Sequence, residues 1–323
     1  MPTIDLTTVG TVGTVGTTPA PAPTSTTGTA LVAAPRRIGL TLTELQHAAH
    51  LAGGAPLPFE LAPPRDTDAM QARLGRSPAT LDDQAYRSVV AALHDPAESL
   101  GRRGLVDPTG TRLDPGLAGA IGLLAAPRLA LDVDVAMAGV QAKVWHRQDG
   151  AAVASLATAD GLVFEVGWFG TDAWPAELAR IAVLSEEVDL GRSAVPAYVD
   201  LPFELADAAA EAGSAGRGDL LPVLAARHTG RVHGADGPLA DDVVVRILTA
   251  LSGEARGRLR ALVADVSGDT VDTVGVVSWS LLADGWRALR PHHADGVLRL
   301  EVRGVAPDDL AAVVAPVLGE AAR

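Results

Sequence analysis

Apolar residues alternate with polar or small ones in two separate stretches of this chain, and each stretch lies between helical patterns. In the first, Leu129, Leu131, Val133 and Val135 alternate with Asp132, Asp134 and small residues. Val140, Ala142 and Val144 then alternate with Gln141, Lys143, Trp145 and Arg147. A period of two is what a strand with one buried face requires. Further strands are predicted near Ala151 to Thr158 and Leu162 to Phe169. A second set is predicted near Arg258 to Val266, Val274 to Leu282, Trp286 to Leu289 and Val297 to Val302. Tight turns mark both sets. Asp149-Gly150 and Asp160-Gly161 punctuate the first, and Asp284-Gly285 and Asp295-Gly296 the second. Asp-Gly favours hairpins because a type I′ turn needs positive φ at both central residues. Asp236-Gly237 opens no alternating run and reads as loop.

Helical signals surround these meanders. Thr41 followed by Glu44 forms a capping box, with Leu45, Ala48, Ala49 and Ala52 on one face and Gly53 as the stop. Pro56, Pro58, Pro63 and Pro64 predict an extended crossing, and a helix is predicted from Leu81 to Leu93. Asp95-Pro96 and Asp114-Pro115 open two more, the first ended by Gly104 and the second facing Leu117, Ile121 and Leu124 inward before Pro127. Trp174-Pro175 begins a helix through Leu178, Ile181 and Ala182. Two short helices with a Gly-rich joint at Gly213 to Gly218 are predicted between about Asp200 and Thr229. Val244, Ile247, Leu248 and Leu251 form a stripe that Gly253 stops. After Ala306-Pro307, Leu310, Val313, Val314, Val317 and Leu318 fit one helical face, with Pro316 expected to kink it. The order helix, four strands, helix therefore occurs twice. This predicts an internal duplication of α+β class: two pseudo-symmetric halves, each a helix, a four-stranded antiparallel meander and a helix, sharing a central sheet, with a helical insert.

Composition narrows the function. The chain has 323 residues, 48% of them hydrophobic but only 3% aromatic, which suffices for a real core. A formal charge of −13 repels phosphate backbones, and no basic stripe with interleaved aromatics offsets it, so neither nucleic acid nor an anionic membrane surface is an expected partner. Cysteine is absent, which removes thiol catalysis, disulfides and Cys-ligated metals. No apolar run reaches the ~18 residues of a membrane-spanning helix. The start lacks the basic and apolar regions of a secretory signal, so a cytoplasmic protein is expected. Residues from Met1 to about Thr29 repeat Thr-Val-Gly three times and are rich in Thr, Pro and Gly, which reads as a disordered tail.

Chemistry is sparse. Lys143 is the only lysine and follows Ala142, so no Walker loop exists, and no Gly-rich turn joins a strand to a helix. Lys143 itself is expected on a solvated strand face. His47 and His50, three apart on a helix, could share a metal but have no acidic partner in a recognisable motif. His228, His233 and Asp236 fall in one loop with loose spacing and make the alternative of a metal or acid–base enzyme site. His292-His293 read as hairpin-turn residues. Asp132 and Asp134 share one strand face, as a solvated face would have them. No serine sits between glycines in a nucleophile elbow. No enzyme activity and no cofactor are expected.

Apolar surface offers more. Leu162, Phe164, Val166 and Trp168 supply one face, Phe169 points to the other, and Trp174 follows. Trp145 shares its predicted face with Gln141, Lys143 and Arg147. Aromatics that break an inside–outside pattern serve partner-binding patches, although core filling is the competing reading. Trp145, Phe164, Trp168, Phe169, Trp174, Phe203, Leu221 and Leu224 are the candidate partner-binding residues.

Several segments resemble one family, the EspG proteins of actinobacterial type VII (ESX) secretion. They are Leu40-Thr41-Leu42-Thr43-Glu44-Leu45 leading to Pro56-Leu57-Pro58 and Leu61; Arg103-Gly104-Leu105 with Pro115, Leu117, Leu124 and Ala126-Pro127; and Trp286, Pro291, Pro307, Leu310 and Leu318. The resemblance spans most of the chain from about Ile38. Short turns at Ala138-Gly139 and Asp149-Gly150, and the Thr-rich leader, depart from the family pattern. The resemblance implies a pseudo-twofold α+β domain over about 31–323: a first half to about 185, a helical insert at about 200–230, and a second half from about 239. It also implies a chaperone that holds the helical tip of a PE–PPE-type substrate against the strands from Leu129 to Phe169 and the helices between Asp200 and Leu251. A patch large enough for that role could equally close a homodimer.

Overall fold

The computed structural model describes residues 34–59, 89–90, 92–137, 139–268 and 270–321. The Thr-rich leader, most of the helix expected from Leu81 to Leu93, and Pro63-Pro64 lie outside them. The fold is α+β, and the chain separates into two compact units, Met1–Pro127 with Trp145–Thr171, and Arg128–Val144 with Asp172–Arg323.

The first unit contains β1 (Arg36–Thr41), α1 (Leu42–Leu51), α2 (Pro96–Arg102) and α3 (Pro115–Ala125). It takes the second half of β3 (Val140–Asp149), then β4 (Ala152–Thr158) and β5 (Val163–Gly170), in the strand order β1-β5-β4-β3. Each helix begins where its sequence signal lies. The Thr41 amide donates to Glu44 Oε2 at 2.8 Å while the Glu44 amide donates back to Thr41 Oγ1 at 3.2 Å, completing the capping box. Asp95 accepts from the Glu98 amide at 2.8 Å, and Asp114 from the Gly116 and Leu117 amides at 2.9 and 3.0 Å. The core gathers Leu40, Leu45, Leu100, Leu117, Ile121, Leu156 and Phe164, all buried.

Arg103, just past α2, ties this unit together. One nitrogen lies 3.2 Å from Glu44 Oε1, and the other donates to the Gly39 carbonyl on β1 at 2.7 Å. Burial works against ionisation of Glu44, but hydrogen bonds from Ser99 and the Thr41 amide, together with the Arg103 charge, outweigh it and hold the carboxyl below its ordinary range. A depressed carboxyl contributes stability that is fully present above the unfolded value, about pH 4, and is lost as pH falls through the lower folded value. Urea midpoints of the wild type and Glu44→Gln should therefore differ at neutral pH and converge in acid. Thr41→Ala, which removes the cap alone, should cost about 1 kcal/mol at neutral pH.

The second unit takes β2 (Leu129–Met137), the first half of β3, α4 (Trp174–Ala182) and β6 (Tyr198–Pro202). Next come α5 (Phe203–Ser214), a 3-10 turn at Gly218–Leu220, α6 (Leu221–Arg227), β7 (His233–Gly234), β8 (Gly237–Pro238) and α7 (Asp241–Gly253). The chain continues through β9 (Gly257–Asp265), β10 (Asp272–Leu282), β11 (Gly285–Ala294) and β12 (Val297–Val305) to α8 (Asp309–Ala321). The strand order is β3-β2-β9-β10-β11-β12-β6-β7-β8. Helical backbone in α8 continues through Pro316.

The repeated order is present, as α3-β2-β3-β4-β5-α4 and again as α7-β9-β10-β11-β12-α8. Four strands were not anticipated, and two of them, β1 and β6, extend the repeat. β1 leads into α1 and pairs with β5, while β6 leads into α5 and pairs with β12. Both are short, so alternation over Ile38 and Leu40, or over Val199 and Leu201, is too brief to stand out. The turns also refine the reading. Only Asp295-Gly296 has positive φ at both residues, 52° and 75°, as a type I′ turn demands. At Asp160 the carboxylate instead accepts from the Leu162 and Val163 amides at 2.8 and 3.0 Å, an Asx turn that spares the aspartate a left-handed backbone. Asp236-Gly237, expected as plain loop, straddles the end of a hairpin: Ala235 and Asp236 form its two-residue turn and Gly237 opens β8, paired with Gly234. His292 and His293, expected in a turn, lie within β11.

Candidate functional site: an open sheet face

In the second unit, β2, β9 and β10 bury one face and leave the other open. Leu131, Val133 and Val135, then Leu259, Ala261 and Val263, then Val277, Trp279 and Leu281 are all buried. Helix α8 packs on β9, β10 and α4 and covers this side with Leu310 and Val314. At its margin Trp286 donates from Nε1 to the Ala182 carbonyl at 2.8 Å, with its ring 6.2 Å from that of Trp279.

The intervening residues form the other face, set in rows by the strand register. Asp132 pairs with Leu262 and Leu262 with Val276; Asp134 with Arg260 and Arg260 with Ser278; Ala136 with Arg258 and Arg258 with Ser280. Arg258, Arg260 and Val276 are exposed, Val276 by 46%. Lys143 reaches Asp134 at 2.7 Å, so the lone lysine is ion-paired and mostly buried rather than freely solvated. Gln141 donates to the same carboxylate at 3.3 Å. The face thus mixes fixed charge, hydroxyls and one apolar row, the exposed Val276 beside half-buried Leu262, a surface suited to another protein's side chains.

Helices α5, α6 and α7 pack on β6 and β12 through Leu205, Leu221, Ile247 and Leu248 against Val199, Leu201 and Val302. They leave Leu220 and Val223 exposed at 37% and 53%, with Leu224 and Phe203 half-buried.

Of the residues nominated from sequence, Trp145, Phe164, Phe169, Trp174 and Leu221 are core. Trp145, expected beside solvent, is 4% exposed because Val144, Trp145, His146 and Arg147 are all buried, both faces of β3 being covered there. Phe59 closes over it at 5.4 Å and stacks on Phe164 at 5.0 Å. Phe169 meets His146 edge-on. Only Trp168, Phe203 and Leu224 keep partial exposure. The alternation that nominated these aromatics reports strand faces, not what covers them.

The loop residues of the enzyme alternative do not converge. His228 Nδ1 is 3.7 Å from Glu204, His233 Nδ1 is 3.3 Å from the Arg299 guanidinium, and Asp236 is exposed on the β7–β8 turn. Among the described residues no three acidic or histidine side chains are grouped to hold a metal. His47 and His50 sit on α1, His47 with a buried Nε2 lacking a hydrogen bond and His50 exposed. Two clefts in the first unit, about 350 and 300 Å³, are lined by Gln46, His50 and Phe59 and by Arg36, Arg37, Asp114 and Trp168. In the second, the carboxylate is committed to capping α3. No helix among the described residues is long and apolar enough to cross a membrane.

No known protein family and no curated protein matches this sequence. Among solved structures, the fold is similar to that of the Mycobacterium tuberculosis type VII secretion system chaperone EspG5, determined in complex with the PE25-PPE41 dimer. The TM-score is 0.56 at 14% identity, covering 88% of this chain and 96% of that one. At that identity the likeness establishes a shared fold.

Proposed function

We propose that this chain is a non-enzymatic cytoplasmic chaperone of type VII secretion. It would hold the helical tip of a PE–PPE-type substrate on the open face of β2, β3, β9 and β10, with the exposed apolar edge of α6 as a second contact. The observation that carries this reading is the fold shared with EspG5, whose solved complex contains a PE–PPE dimer. The physical support is local. A sheet sealed on one side by α8 is a rigid platform, and rigidity limits the entropy lost when a partner docks. Leu262 and Val276 can receive apolar side chains from a helix tip, and Val223 and Leu224 offer a separate apolar contact. Each side chain buried contributes roughly 1.5–3 kcal/mol, so two or three are enough after ordering costs for micromolar binding.

The test is affinity capture from the native host followed by calorimetry with the purified partner. Recovery of a PE- or PPE-type helical substrate that binds the isolated chain at one-to-one stoichiometry is the expected result. Recovery of none while such substrates are expressed would overturn the reading.

A further inference from the structure

We propose that a second surface of this chain, the uncovered face at the β11, β12 and β6 end of the second unit, docks an acidic helical segment of another protein. The register places Arg290 opposite Glu301 and Glu301 opposite Asp200, while Arg303 faces Tyr198. These residues lie on the face opposite Leu201 and Leu300, which pack toward α5, α6 and α7. This surface is therefore distinct from the one assigned above to the secreted substrate.

Charge on this face is layered by depth. Arg299 and Asp200 are only 11% and 14% exposed and neutralise one another at 2.8 Å. Glu301 is also recessed, at 17%, and its Oε1 lies 3.2 Å from the Arg303 guanidinium and 3.7 Å from that of Arg290, ion-paired with both but hydrogen-bonded to neither. Those two arginines are 55% and 62% exposed. An approaching molecule meets two cations sharing one sunken anion, within a chain whose net charge is −13. Arg303 also lies over the Tyr198 ring at 5.5 Å, which fixes its plane and lowers the entropy lost on gripping a carboxylate.

Because both guanidiniums gather at one oxygen, they suit two carboxylates a short distance apart. Glutamates at i and i+4 on a helix, about 5–6 Å apart, have that spacing. A phosphate backbone fits less well, since Asp200 and Glu301 would repel its continuous charge and the rest of the chain is acidic.

The experiment uses the full chain and a fluorescein-labelled, alanine-based helical peptide carrying i, i+4 glutamate pairs, read by fluorescence anisotropy. Its glutamine counterpart, a single-stranded DNA oligonucleotide and phosphatidylglycerol vesicles serve as competitors. The glutamate peptide should bind about ten-fold tighter than the glutamine peptide, and Arg290→Ala with Arg303→Ala should remove that advantage. Glu301→Gln, which frees both guanidiniums without deleting a cation, should tighten binding several-fold; this arm stands even if the double variant folds poorly. Arg258→Ala with Arg260→Ala, on the substrate-facing sheet, should leave peptide binding unchanged, which separates failure here from failure of the chaperone reading. Equal binding of the two peptides, stronger competition by DNA or vesicles, or an equal loss from the Arg258 and Arg260 changes would each overturn the proposal.

Discussion

Arg260→Glu combined with Val276→Asp is expected to weaken binding of the proposed helical partner by more than about 100-fold, leaving the chain folded. Val276 is 46% exposed and Arg260 is exposed on the adjoining row of the same open face. A helix tip seated there would bury a new carboxylate against apolar side chains and reverse the charge beside it. Desolvating an unpaired charge costs several kcal/mol, and about 1.4 kcal/mol already corresponds to a factor of ten. Exposed substitutions usually change stability by less than about 0.5 kcal/mol, and the carboxylate that Arg260→Glu sets opposite Asp134 adds up to about 1 kcal/mol, so thermal midpoints should fall only slightly. Titration calorimetry with the captured partner supplies the measurement. Unchanged affinity would move the contact off this sheet.

Trp286→Ala is expected to destabilise the chain by about 3–5 kcal/mol. The ring is 2% exposed, tilts against Trp279, and anchors α4 through the Nε1 bond to Ala182. Truncation leaves a void and an unpaired carbonyl together. Trp286→Phe should keep most of the volume and lose only the bond. Trp279 provides the control, because its Nε1 has no hydrogen-bond partner among the described residues. Trp279→Phe should therefore cost less than Trp286→Phe, which urea denaturation midpoints at constant m-value would reveal.

Much of this architecture was legible in the sequence because one-sided burial writes itself as alternation. β2 shows this directly: Leu131, Val133 and Val135 are buried while Asp132 and Asp134 are half-buried on the other side. The capping box at Thr41 and the Asp-Pro helix starts at Asp95 and Asp114 were equally plain, since each depends on residues a few positions apart. Trp145 was misplaced for the opposite reason. Its surroundings come from Phe59 and Phe164, distant in sequence, so no local pattern reports that the strand is covered twice. The rows of the open face were likewise hidden. Asp134 meets Arg260 only through the pairing of β2 with β9, and the alternation of either strand alone gives no register.

The bond from Arg103 to the Gly39 carbonyl has a bearing on how such a molecule survives at high concentration. A border strand with unsatisfied backbone groups invites a neighbouring copy to zip alongside, and the process can propagate into fibrils. On β1 a guanidinium occupies one of those groups, and the Glu44 carboxylate occupies another, the Thr41 amide. The far border, β8, is two residues long and contains Pro238, which has no amide hydrogen to offer. Neither border of the sheet therefore offers a second copy a full row of free backbone groups to pair with.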